Sequence, residues 1–225
     1  MSATLVQAQP ADRRQIAEDQ LAALRGRAIQ EYGIVEQSVC QLFSQLSGTG
    51  PNVAGVVFFN VRDAHSIHRI LRRPLEKRYG QQYSVFWMSL AALIRQCSEV
   101  RNKIAHWGVR VEVGDGGFQR LSLIPPNFWD LDSSIAPLTT EDIEDFVGRC
   151  AFASRLCNLF VRFLEGDAPD EMKATWLAVF SSAAEYPPPV GHPLRIHDAR
   201  CEPDSSTKFD LQSGGTPVAS PFPCV

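Results

Sequence analysis

The sequence predicts a predominantly all-α fold: an up-and-down four-helix bundle with a small β-hairpin inserted at about 108–124 and a disordered C-terminal tail. Three observations carry this. Apolar residues recur every three or four positions over long stretches, which is the period of one helix face. Within 108–124, β-formers alternate with polar residues on either side of Asp115-Gly116-Gly117, a hairpin signal. From Pro187 onward the chain carries eight of its fifteen prolines with few aliphatics, a composition that builds no core.

Taken in order, residues 1–9 read as a loose N-terminus, 10–186 as one helical domain and 187–225 as the tail. Pro10 suits the first position of a helix, where its missing N–H costs nothing. Leu21, Leu24, Ala28, Tyr32, Val35, Val39, Leu42 and Leu46 continue it as one long amphipathic helix, with Gly26 or Gly33 as places for a bend. Ser47-Gly48-Thr49-Gly50-Pro51-Asn52 is a loop. Val53 to Phe59 is apolar throughout, and seven residues are too few to separate a helical turn from a strand.

Residues 61–80 hold Arg62, Arg69, Arg72, Arg73, Lys77 and Arg78 against Asp63 and Glu76, with His65 and His68 beside them. Ile67, Ile70, Leu71 and Leu75 give this segment a buried side, and Pro74 predicts a break or kink. Such a charge run is in general a solvated helix face. Beside a site for a phosphate-bearing ligand, the local excess of cations would become a surface that tracks phosphates. A helix from about Ser84 buries Phe86, Leu90, Leu93, Cys97, Val100 and Ile104. After the hairpin and Pro125-Pro126, Thr139 or Thr140 with Glu141 and Asp142 opens a last long helix. Ile143, Phe146, Val147, Cys150, Ala153, Cys157, Phe160 and Leu164 form its stripe. Asp170 is placed to cap a shorter helix containing Trp176, Leu177 and Phe180.

Composition narrows the class. With 225 residues, 44% apolar and 21% charged, the chain can bury one sizeable core. No apolar run reaches the length needed to span a bilayer, so no membrane is expected. Met1 to Gln9 lacks a basic cluster followed by an apolar core, so no signal peptide is read and a cytoplasmic location is expected. The six cysteines form no C-x-x-C pair, which suits reduced thiols. A net charge of −3 argues nothing about nucleic acid; the local distribution does.

The helix from Ser84 ends in Arg101-Asn102-Lys103-Ile104-Ala105-His106. Relative to Val100, Asn102 lies about 200° round the helix, His106 about 240° and Arg101 about 100°. A cation, an amide and an imidazole therefore gather on the side turned away from the core. His titrates near neutral pH and suits acid–base work. A forked, permanently charged guanidinium suits the non-bridging oxygens of a phosphate.

This Arg-Asn-x-x-Ala-His segment resembles the signature of the HEPN superfamily: Arg, a short spacer opening on a polar residue, then His. The resemblance spans roughly residues 10–166 and includes a Phe58-Phe59-Asn60 turn before the Arg-rich segment. It implies a metal-independent endoribonuclease with no cofactor, active as a homodimer around a shared groove. In such an enzyme the RNA 2′-OH attacks the adjacent phosphate, leaving a 2′,3′-cyclic phosphate and a 5′-hydroxyl. The catalytic set implied is Arg101, Asn102 and His106. Arg62, His65, His68, Arg69, Arg72, Arg73 and Lys103 would hold the strand. A toxin or defence effector, with a nucleotidyltransferase-like antitoxin as partner, fits the same picture, and DNA, which lacks the 2′-OH, is not an expected substrate.

Plainer readings stand beside these. A His in the last turn of a helix is favoured by the macrodipole without any function. Arg101 suits an ordinary ion pair, to Glu99 or to an acid on another helix. Many HEPN-like domains bind RNA or serve as scaffolds without cleavage, so a non-catalytic RNA-binding or scaffold dimer is the alternative. His65 and His68 with Asp63 lack a further metal ligand at a sensible spacing and read as surface histidines. Gly114-Asp115-Gly116-Gly117 opens no helix and reads as a turn, not a phosphate loop. Asp142, Glu144 and Asp145 read as first-turn dipole partners.

Overall fold

A computed structural model of the chain describes residues 10–60, 64–115, 117–126 and 135–193, with the backbone alone for 10, 11 and 64–68. The chain divides into two units, Met1–Pro189 and Val190–Val225. The first holds every helix and strand described below. The expected loose N-terminus lies outside the described residues, as does all but the beginning of the expected tail.

The described residues are predominantly helical, as the periodicity predicts. The helices are α1 (Pro10–Ser47), α2 (Pro51–Asn60), α3 (Ala64–Tyr79), α4 (Ser84–His106), α5 (Thr140–Glu165) and α6 (Lys173–Ser181). Two strands, β1 (Gly108–Gly114) and β2 (Gly117–Ile124), pair antiparallel between α4 and α5.

Helix α1 is the axis of the fold, about 57 Å long at 1.5 Å per residue. It passes through Gly26 and Gly33 without a break and packs against α2, α3, α4, α5 and β2. Leu21, Ala28, Tyr32, Val35, Val39, Leu42 and Leu46 are buried as the stripe requires, and Leu24 is half-buried. α4 runs antiparallel to α1: Arg25 meets Ile104, while Tyr32 meets Ser98 and Arg101. α5 runs antiparallel to α4, with Phe160 on Phe86 and Cys150 on Cys97. α1 and α5 are consequently parallel neighbours, so strict up-and-down alternation fails at this contact.

Val53 to Phe59 resolves as helix, part of α2. Pro51 starts it, Ala54 N–H donates to Gly50 O at 3.0 Å, and Ala54 and Phe58, four residues apart, are buried. Pro74 does not break α3. It removes one helix hydrogen bond at a cost of about 3 kcal/mol. Leu71 and Leu75 on either side of it are fully buried, which returns roughly 1.5–3 kcal/mol each. Packing therefore outweighs the defect. Asp170 also behaves differently from its expected role. It opens a 3₁₀ turn, Asp170–Met172, and its carboxylate takes Lys173 at 2.6 Å, so α6 starts one turn later without a side-chain cap.

α5 begins as the sequence predicts. Thr139 and Asp142 form a reciprocal capping box: Asp142 N–H donates to Thr139 Oγ1 at 3.2 Å and Thr139 N–H donates to Asp142 Oδ2 at 2.8 Å. It ends at Gly166, whose φ of 85° is the left-handed conformation of a glycine stop. Tyr83, Phe86, Phe160 and Phe180 lock α4, α5 and α6 together, with ring centroids 4.9–5.3 Å apart. Cys97, Cys150 and Cys157 are fully buried thiols in the α4–α5 contact region, and Cys40 is buried on α1. Hydrogen bonding between Cys97 and Cys150 pushes the second thiol up and draws the first down.

The hairpin holds a register shift at Glu112/Val113, and an ion pair joins Arg120 to Glu112 across the strands. Its inner face is β2, where Leu121, Ser122 and Leu123 are buried. Leu123 exchanges backbone hydrogen bonds of 2.8 and 2.9 Å with Leu138, which ties the hairpin to the approach of α5. No helix among the described residues is long and apolar enough to cross a membrane.

Candidate functional site at the tip of helix α4

The last turn of α4 is anchored on one side and open on the other. Ile104 is wholly buried and Arg101 half-buried, whereas Asn102, Lys103 and His106 are exposed. The helix phase that buries Cys97 and Ile104 turns Asn102 and His106 outward together. Asn102 and His106 of the expected catalytic set thus share the outer face of the last two turns of α4, while Arg101 leaves the helix on the side of α1. Arg101 Nη1 donates to Asn102 Oδ1 at 3.0 Å, which joins the amide to the cation.

Arg101 reaches toward α1, not toward Glu99. Its guanidinium carbon lies 5.3 Å from the centroid of the buried Tyr32 ring, a cation–π contact. One turn further along α1 stands Glu36. Burial holds the Glu36 carboxyl above its ordinary range, and the charge of Arg101 opposes that rise. Tyr32 is likewise raised by burial, against a hydrogen bond with Ser98. Arg101 therefore divides its charge among an aromatic face, a half-buried carboxyl and Asn102.

A second arginine of α1 closes the helix end. Arg25 Nη2 donates to the Ile104 carbonyl at 2.8 Å and to the Trp107 carbonyl at 3.4 Å. These carbonyls lie in the last turn of a helix and just beyond it, where partners are missing and the dipole is negative, so a cation is well placed. Trp107 follows His106 in extended conformation, φ −79° and ψ 144°, with its N–H donating to Lys103 O at 2.8 Å. The Lys103 ammonium lies 5.4 Å from the centroid of the half-buried Trp107 ring.

The expected strand-holding residues are placed less uniformly. Arg69, Arg72 and Arg73 are exposed on α3. Arg72 Nε donates to Glu76 at 2.7 Å, and Arg78 reaches the Gln45 carbonyl at 3.4 Å near the far end of α1. Arg62 lies outside the described residues. His65 and His68 fall on the α3 backbone, but their side chains lie outside what is described, as does the metal alternative built on them with Asp63. Among the described residues no group of three or more His, Cys, Asp or Glu could hold a metal ion. A shallow groove of about 430 Å³ lies between α1 and α5, lined by Gln41, Ser44, Gln45, Asn158 and Arg162, well along α1 from the α4 tip.

Sequence reasoning missed Arg25, Tyr32 and Glu36. Arg25 is 79 residues from Ile104, and nothing in local periodicity pairs the two. Trp107 adjoins the motif and was open to notice. Chemically, the tip offers an exposed imidazole, an amide, an ammonium and a partly committed guanidinium within the last two helical turns. Comparison with known proteins finds no matching family model, curated protein or solved structure.

Proposed function

We propose that the tip of α4 is an RNA-cleaving site of the HEPN kind, completed by a second copy of this chain. The observation that carries the reading is the exposure of His106 and Asn102 on one face with Arg101 hydrogen-bonded beside them. One imidazole takes the proton of the ribose 2′-OH while its oxygen forms a bond to phosphorus. The P–O5′ bond breaks, and a second, protonated imidazole, His106 of the other copy, delivers its proton to O5′. Products are a 2′,3′-cyclic phosphate and a 5′-hydroxyl. Arg101 and Lys103 offset the phosphorane charge, and Asn102 orients either the imidazole or the phosphate. The exposed cations of α3, Arg69, Arg72 and Arg73, are the further residues expected to hold the strand. The same reading carries a cytoplasmic toxin or defence effector, held by a nucleotidyltransferase-like antitoxin.

The test is cleavage of labelled RNA in excess chelator by the wild-type chain and by His106→Ala. The expected result is chelator-resistant cleavage that drops by roughly 10²- to 10⁴-fold in the variant, with cyclic-phosphate ends. Cleavage by His106→Ala at the wild-type rate, or strict dependence on added metal, overturns it. A second reading, a non-catalytic RNA-binding or scaffold dimer, is favoured by the seat of Arg101 on Tyr32 beside Glu36, which withholds part of its charge from any phosphate. Wild-type binding without cleavage, unchanged in His106→Ala, selects it.

A further inference from the structure

Trp107 stands apart from the other tryptophans among the described residues: Trp87 and Trp176 are buried, whereas Trp107 is half-exposed at the end of α4, directly after His106. Its backbone N–H donates to Lys103 O at 2.8 Å, and Arg25 adds a weak contact to its carbonyl at 3.4 Å. The extended ψ of 144° carries the chain off the helix axis at this residue. A large, half-exposed ring is thus held directly after His106, with the exposed Lys103 ammonium over one of its faces at 5.4 Å from the centroid. Single-stranded polynucleotides are bound by this pair of chemistries, an aromatic face for a base and a cation for the backbone.

We infer that Trp107 is a stacking platform for a nucleobase of single-stranded RNA, with Lys103 taking the adjacent phosphate; this rests on the α4 tip being an RNA site. Duplex bases are already stacked on one another and offer the ring no face, so the platform selects single strands. Every base has a π-face, so it selects them with little preference for base identity. Trp107 acts here as a substrate-positioning residue, holding the strand so that one phosphate rests over His106.

The experiment measures binding of a short 2′-O-methyl RNA strand, which cannot be cleaved, to the wild-type chain, Trp107→Ala and Trp107→Phe, beside the same sequence as a duplex. Trp107→Ala is expected to weaken single-strand binding by roughly 5- to 150-fold, the loss typical of one stacked base. Trp107→Phe should lose less, and duplex binding should stay level across all three. Tryptophan fluorescence, quenched by the strand in the wild-type chain, should lose that quenching in Trp107→Phe. Should Trp107→Ala fail to fold, the quenching comparison with Trp107→Phe decides alone. Equal single-strand affinity for wild type and a folded Trp107→Ala, or equal quenching in wild type and Trp107→Phe, overturns the platform; intact chelator-resistant cleavage beside that result leaves the ribonuclease reading standing. A wild-type chain that binds no strand overturns both. Stacking that survives while His106→Ala still cuts at the wild-type rate keeps the platform and removes His106 from the chemistry.

Discussion

Replacing Arg25 by Met removes the guanidinium and keeps an apolar stem of similar reach, so the variant isolates the clip on the α4 end from side-chain packing. The bond to Ile104 O at 2.8 Å has full hydrogen-bond geometry, and the 3.4 Å contact to Trp107 O is weak. Hydrogen bonds from charged donors contribute about 1.5–3 kcal/mol. Arg25 is half-buried and water can partly replace it, so a loss of about 1–2 kcal/mol is expected. For a domain of this size that corresponds to a fall in Tm of roughly 2–8 °C. Urea denaturation followed by circular dichroism should show a lower midpoint at unchanged m. Hydrogen exchange should locate the damage, with the Trp107 amide losing protection while amides around Phe160 keep theirs. A midpoint equal to wild type together with an equally protected Trp107 amide refutes the clip. Arg25→Lys keeps the charge but not the fork and should fall between the two.

Two other substitutions probe separate layers. Thr139→Ala removes one half of the capping box at α5 and should cost about 1 kcal/mol, read as a shift in denaturation midpoint; no shift would show that Asp142 alone caps the helix. Burial pushes the Cys157 thiol up to about 12. A raised folded value means the unfolded chain ionises first, so this thiol supports the fold fully below about pH 9 and loses that support as pH rises toward 12. The stability difference between the wild-type chain and Cys157→Ala should therefore narrow by about 1.4 kcal/mol per pH unit over that interval. A difference that stays constant with pH contradicts the assignment.

The parts of the fold that were legible are those set by local periodicity or turn chemistry. The stripe from Phe86 to Ile104 announces α4 because a 3.6-residue repeat admits one buried face, and Thr139 with Asp142 announces the start of α5. Asp115-Gly116-Gly117 marks the hairpin for the same reason. Val53 to Phe59 was not legible, since seven apolar residues suit a helix or a strand and only the burial of Ala54 and Phe58, four residues apart, decides. Pro74 misled because a local penalty was weighed without the burial of Leu71 and Leu75. At the site, the outward phase of Asn102 and His106 followed from spacing. The partners of Arg101 did not: Tyr32 and Glu36 arrive from a helix some seventy residues earlier. A one-dimensional pattern shows which side a residue leaves its helix on, never what waits there.

Arg25, Tyr32 and Glu36 all belong to a single unbroken helix, and each reaches the same end of α4. Their spacing is therefore fixed as teeth on a rack are fixed. One residue inserted or deleted between positions 25 and 36 would rotate the remaining teeth by about 100° and unseat either the helix-end clip or the Arg101 cradle. Length changes in the turn between β1 and β2, or in the link from α1 to α2, carry no such penalty. Relatives of this chain that keep the α4 tip should accordingly show indels in those connections and none in that stretch of α1.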